Sequence, residues 1–197
     1  MKNKDKIEYI IKKQHGTIMS KDLDKYEIPR NYLQLMVKDG ELEKVGTGIY
    51  VSRDSIGDEM FAMQSKYQKL IYSHETASYL HGLTDRTPFD YSVTVPSGYK
   101  VVSNLSSRFK IYYVKKEFHE LGISDIESNF GNPLRVYDIE RTICDILRSR
   151  NRIDIQITNE ALKRYVNLKT ADYSRLIQYA KKLKVERLVK HYLEVLL

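Results

Sequence analysis

The chain is 197 residues long, with 42% hydrophobic and 30% charged side chains, enough for one domain or two small ones and too apolar for a disordered coil. Its only cysteine, Cys144, excludes an internal disulfide framework and suits a reducing cytoplasm, and no apolar run reaches the roughly 18 residues that span a membrane. The net charge of +7 makes nucleic acid the first partner to consider.

That charge is uneven. Residues 1–52 hold ten Lys/Arg against eight Asp/Glu, whereas between Lys163 and Lys190 nine basic residues face only Asp172 and Glu186. At the N-terminus, Ile7, Ile10 and Ile11 are spaced as one helix face rather than as the continuous apolar core of a signal peptide. A cytoplasmic protein is expected.

The first helix is predicted over Asp5–Gln14 and stopped by His15-Gly16, since glycine readily takes the left-handed conformation that ends helices. Ser20 is expected to cap a second helix, Lys21–Tyr26, with Leu23 inward. Pro29 then opens a third helix, where its missing N–H costs nothing. Its apolar positions are Tyr32 or Leu33, Met36 and Val37, with Leu35 a weaker member, and its polar face presents Arg30, Asn31, Gln34 and Lys38. Residues 41–45 and 48–51 read as two short strands joined by a turn at Gly46-Thr47.

Three helices and a hairpin in about fifty residues is the winged helix-turn-helix plan, in which the third helix enters the major groove. Arg30, Asn31 and Gln34 are the candidate base readers, because Arg, Asn and Gln have the fork geometry that matches guanine and adenine edges. Ser20, Lys21, Lys38, Lys44 and Thr47 are the candidate phosphate or wing contacts, which fix register without reading sequence. The same plan also serves as a protein-interaction module.

Residues 53–58 read as a linker. Beyond it a helix is expected over Glu59–Tyr72, then one capped by Ser73 and ended by Gly82. Tyr91–Val95, Phe109–Val114 and Leu134–Tyr137 are strand candidates. Asp138 is expected to cap a helix from Ile139 to Ser149, Thr158 one from Asn159 to Val166, and Asp172 precedes a last amphipathic stretch to Leu196. The fold class is therefore α+β: a winged helix-turn-helix domain (1–52), the linker, and a mixed α/β C-terminal domain (59–197) ending in basic helices.

Several stretches together resemble the AbiEi family of antitoxins from type IV, abortive-infection toxin–antitoxin systems. They are Gly46-Thr47-Gly48-Ile49-Tyr50, the run SHETASYLHGL from Ser73 to Leu83, Tyr91–Pro96, and VYDIERTICD from Val136 to Asp145, in the family's order and over most of the chain. The resemblance implies a transcriptional repressor that binds double-stranded operator DNA at inverted repeats upstream of its own operon. It further implies phage-resistance biology, with a C-terminal domain that opposes a nucleotidyltransferase toxin without a stable complex. A monomer in solution that binds cooperatively on DNA is expected, since no long heptad or apolar dimer helix is visible.

Catalysis is not expected. Asp138, Glu140 and Asp145 are close in sequence and keep a metal-dependent nuclease open as the alternative, but Asp138 reads as a cap and Arg141–Asp145 as an i, i+4 ion pair. His74 and His81 share a helix face without a third ligand nearby, so no metal is expected. Cys144 sits on an apolar helix face and reads as packing. The glycine loop that cradles nucleotide phosphates is missing, so no cofactor is expected. Lys163, Arg164, Arg175, Lys181, Lys182 and Lys184, interleaved with tyrosines, form either a solvated face or a second surface for DNA, RNA or an acidic toxin.

Overall fold

The computed structural model describes residues 3–54, 57–101 and 109–196. Ser55 and Ile56, part of the linker reading, lie outside the described residues. Among those described, the chain forms ten α-helices and eight strands in two sheets. Packing divides it into two compact units, Met1–Gln68 with Glu127–Leu134, and Lys69–Ile126 with Arg135–Leu197.

In the first unit the order is α1 (Asn3–Lys13), β1 (Thr17–Met19), α2 (Ser20–Asp24), α3 (Asn31–Lys38), β2 (Leu42–Gly46), β3 (Ile49–Ser52) and α4 (Glu59–Lys66). β3 lies between β1 and β2 and is antiparallel to both. The core is built from Ile7, Ile10, Leu23, Ile28, Leu33, Met36 and Leu42, closed by Tyr50. These apolar positions follow helical spacing in α1 and α3, so one stripe of each helix leaves water together.

Several sequence expectations shift here. Ser20 is the first residue of α2 rather than its cap; Met19 precedes it, and its N–H donates to the Asp22 carboxylate at 2.9 Å. Pro29 lies one residue before Arg30, the N-cap of α3. Leu35 leaves the apolar set altogether and is 49% exposed. The hairpin turns through Thr47-Gly48, where Gly48 has φ +72, a conformation that side chains resist.

Asp58 is a buried junction. It caps α4 by accepting the Phe61 N–H at 3.0 Å, and it also accepts from Ser128 Oγ and from Asn132 Nδ2 (3.0 Å). Those hydrogen bonds recruit the segment 127–134 into the first unit.

The second unit contains β4 (Ile71–Tyr72), α5 (His74–Leu80), β5 (Tyr91–Pro96), β6 (Phe109–Val114), α6 (Lys116–His119), β7 (Ile123–Glu127), β8 (Pro133–Tyr137), α7 (Ile139–Arg148), α8 (Ile155–Val166), α9 (Tyr173–Lys182) and α10 (Glu186–Leu196). The outer residues of β7 and β8 are those assigned to the first unit. The five-stranded sheet runs β6-β5-β4-β8-β7, with β5 antiparallel to β4 but parallel to β6, and β4 parallel to β8. The apolar face of α7 packs with α8, α9 and α10 around Ile143, Ile146, Leu147, Leu162 and Leu176.

The helix predicted over Glu59–Tyr72 stops at Lys66, and Ile71–Tyr72 become a central strand instead. Asp154, not Thr158, caps α8, accepting the Gln156 N–H at 2.7 Å. The final amphipathic stretch is two helices, parted at Leu183–Val185 with Lys184 at φ +60.

At the centre of this unit lies Arg141, with no solvent exposure. Its Nε donates to Asp145 Oδ2 at 2.9 Å, and its Nη1 donates to the carbonyls of Phe118 and Leu121, both at 2.8 Å. Its guanidinium stacks on the Tyr137 ring at 4.2 Å. Gly122, at φ +76, comes so close that a Cβ there would sit 2.9 Å from Arg141 Cβ. Removing one member of a buried ion pair strands the other charge. Arg141→Met is therefore expected to lose about 3–5 kcal/mol in urea denaturation, with much of it recovered in Arg141→Met/Asp145→Leu.

Candidate nucleic-acid interface

The apolar stripe of α3 is Leu33 and Met36, so its opposite face is delivered to solvent by helix geometry alone. Asn31, Gln34, Leu35 and Lys38 are all exposed, at i, i+3, i+4 and i+7, and form a continuous stripe. Sequence reasoning placed Asn31, Gln34 and Lys38 there and missed Leu35. Its position one turn below Asn31 was the available signal.

Arg30 stands at the N-terminal end of this stripe, but its guanidinium is engaged. Nη2 lies 2.6 Å from Asp24 Oδ2 and Nε donates to Oδ1 at 3.1 Å, a two-pronged ion pair exposed to solvent. The hydrogen bond to Arg30 holds the Asp24 carboxyl below its ordinary range.

The remaining N-terminal candidates gather around the hairpin and the start of α2. The Ser20 N–H donates to the Gly48 carbonyl at 2.8 Å, and the Gly48 backbone passes close to Ser20 Oγ, which pins the turn to α2. Lys21 is exposed and its Nζ reaches the Ser65 carbonyl at 3.2 Å. Lys44 and Thr47 are exposed on β2 and the turn.

Residues 5–53 match a family model described as "Transcriptional regulator, AbiEi antitoxin". This segment is similar to the AbiEi antitoxin family. The resemblance read in the sequence is thus borne out over the fifty residues that build α1–α3 and the small sheet. No curated protein matches the chain. Among solved structures, the RV2827C protein from Mycobacterium tuberculosis has a similar fold, with a TM-score of 0.60 at 12% identity. That match covers 84% of this chain, which spans 66% of the length of the mycobacterial chain.

The C-terminal basic candidates separate into two groups. Arg164 is committed: it donates to the Gly82 carbonyl (3.0 Å) and pairs with Asp85 and Glu160 (2.6 Å). Arg175 pairs with Asp172 at 3.4 Å. Lys163, Lys181, Lys182 and Lys184 are exposed and make no ion pair among the described residues. Of these C-terminal candidates, they are the ones left without an ion pair among the described residues.

The carboxylates that suggested a nuclease have structural work. Asp138 caps α7 by accepting the Arg141 N–H (2.8 Å) and also accepts from Tyr179 OH (3.0 Å). Glu140 accepts the Asp172 N–H at 3.0 Å, and Asp145 holds Arg141. Among the described residues no group of three or more His, Cys, Asp or Glu side chains converges as a metal site, and no helix is long and apolar enough to cross a membrane. Cys144 is buried, and burial raises its thiol well above the ordinary value, which suppresses the thiolate.

His74 and His81 each have partners of their own within the protein. His81 Nε2 bonds the Tyr137 carbonyl at 2.7 Å. His74, at φ +49, joins a polar chain: Thr94 Oγ1 donates to Ser73 Oγ, which meets His74 Nδ1 (2.9 Å), while Nε2 meets Ser149 Oγ (3.1 Å). Its ring stacks on Tyr112 at 3.4 Å.

Burial, reinforced by Arg141, Lys110, Arg152 and Arg148, holds the His74 imidazole well below its ordinary range. Burial lowers His81 and His119 as well. Imidazoles kept neutral in the folded chain bind more protons once unfolded, so stability falls as pH drops through about 6.5. The melting temperature should therefore fall between about pH 7.5 and about pH 5.5. His74→Asn should flatten that fall without abolishing it; an unchanged slope refutes the assignment.

Proposed function

We propose that this protein is a DNA-binding antitoxin and autorepressor whose first unit acts as a winged helix-turn-helix. In this reading α3 lies in the major groove of inverted repeats upstream of its own operon, with the β2–β3 hairpin as the wing. The observation that carries it is the exposed stripe Asn31–Gln34–Leu35–Lys38, set opposite the buried face of α3 inside an AbiEi-family segment. Asn31 and Gln34 offer paired donor and acceptor atoms for adenine edges, and the Leu35 methyls suit a thymine methyl. Lys21, Lys38, Lys44 and Thr47 contact phosphates.

Arg30 enters this mechanism by exchange. In the free chain its fork is filled by Asp24, and on DNA a guanine edge or a phosphate would replace that carboxylate. The exchange penalises any site that offers the arginine no better acceptor, which sharpens discrimination rather than raw affinity.

The second unit carries the antitoxin role, opposing a nucleotidyltransferase toxin through binding rather than catalysis and without a stable complex. Lys163, Lys181, Lys182 and Lys184 supply charge for an extended DNA footprint. The protein acts in the cytoplasm as a monomer that loads cooperatively on its repeats.

A mobility shift on the DNA directly upstream of the gene, against a scrambled duplex of equal length, tests the repressor reading. Specific retardation at physiological salt is expected; equal and salt-fragile binding to both duplexes refutes it. Gln34→Ala is expected to reduce discrimination by about 1–3 kcal/mol, and Asp24→Asn to tighten binding to both duplexes. Lys182→Ala with Lys184→Ala should weaken all duplexes alike and lower the salt slope by about two, one per phosphate contact.

A further inference from the structure

The second unit has a cleft where α7 ends, separate from every residue placed on DNA above. It is lined by His74 and Asp145, by Tyr112 and Tyr113 of β6, and by Arg148, Ser149, Asn151 and Arg152, with a volume of about 310 Å³. That is the lower end of the range for small-molecule sites, roughly 300–1,000 Å³.

Three features of its lining are unexplained by folding alone. Arg148 and Arg152 are exposed at the mouth and make no ion pair among the described residues, although Arg152 is held with its guanidinium 4.4 Å from the Tyr112 ring. The neighbouring cations are spent otherwise: Lys110 pairs with Glu75 at 3.0 Å, and Arg150 turns back to the Leu147 carbonyl. Second, the Tyr112 hydroxyl is buried and has no hydrogen-bond partner among the described residues, a donor held ready in the lining. Third, the Thr94–Ser73–His74 chain ends on Ser149 Oγ and fixes that hydroxyl at the mouth.

Asp145, the one carboxylate in the lining among the described residues, is already bonded to Arg141, so it opposes an incoming anion less than a free carboxylate would. Tyr113, 53% exposed, adds an aromatic surface beside the two arginines.

We propose that this cleft binds a mononucleotide, with Arg148 and Arg152 on its phosphate and Tyr113 against its base. Paired guanidiniums match a phosphate's oxygens, and an aromatic ring accepts any base by stacking. Tyr112 OH and Ser149 Oγ complete the polar contacts. A signal of this kind would tie the unit's state to the nucleotide pool.

The experiment is thermal denaturation of the full chain at physiological salt with AMP, inorganic phosphate or adenosine at equal concentration, followed by calorimetric titration of AMP. AMP is expected to raise the melting temperature most, inorganic phosphate less, and adenosine not at all. Arg148→Gln/Arg152→Gln should weaken AMP binding by at least about tenfold, since two charge-assisted contacts are lost. Tyr112→Phe removes only the unpartnered hydroxyl, so the free protein should melt no lower while its AMP shift shrinks. The proposal fails if AMP leaves the melting temperature unmoved, if the double variant responds like wild type, if adenosine equals AMP, or if phosphate alone matches it. Operator binding is read separately on α3 variants, so failure here leaves that reading standing.

Discussion

A guanidinium cut off from water organises the second unit. Arg141 is buried because three stretches of chain converge on it: the Asp145 carboxylate one turn along its own helix, the segment 118–122 with the Phe118 and Leu121 carbonyls and the bare backbone of Gly122, and the Tyr137 ring at the end of β8. Desolvating such a charge is expensive, and the geometry must be nearly complete before the pair is favourable. The sheet edge, α6 and α7 are thereby locked in mutual register. One terminal nitrogen, Nη2, lacks a partner among the described residues, so the arrangement specifies position more than it adds stability.

The first unit works by the opposite economy. Its core is a small set of aliphatic side chains and one tyrosine, and its polar surface is nearly balanced in charge. In the proposed DNA-binding role, α3 would rely on Asn31 and Gln34, which are uncharged, and on an arginine whose charge is already engaged by Asp24. In that proposal, long-range attraction to a polyanion would fall to lysines elsewhere, above all Lys163, Lys181, Lys182 and Lys184.

Much of the first unit was legible because its periodicities are clean. The isoleucines of α1, the left-handed stop at His15-Gly16 and the Gly-rich hairpin each announce themselves locally. Leu35 was misassigned because hydrophobicity was weighed above angle: a leucine between Gln34 and Met36 cannot share the Leu33 face. In the second unit α7 and its Asp138 cap were plain, as was the Arg141–Asp145 spacing, though nothing in the spacing says that the pair is buried. β4 was invisible, since two residues set no alternation and their burial comes from neighbours distant in sequence. The cleft beside Arg148 was equally unreadable. It joins β6 to the end of α7 across more than thirty residues, and its tyrosine hydroxyl is notable only for what it does not touch.

Asp58 bears on how such a protein can be taken apart. Its carboxylate is buried against Ser128 and Asn132, residues that follow some seventy positions later. A fragment ending near Gln68 would keep α3 and the hairpin but lose those two donors and the strip of packing they bring. Attempts to assign separate tasks by truncation would thus compare a damaged piece with an intact whole. Point substitutions, or grafting 127–134 back by a short tether, would be the fairer dissection.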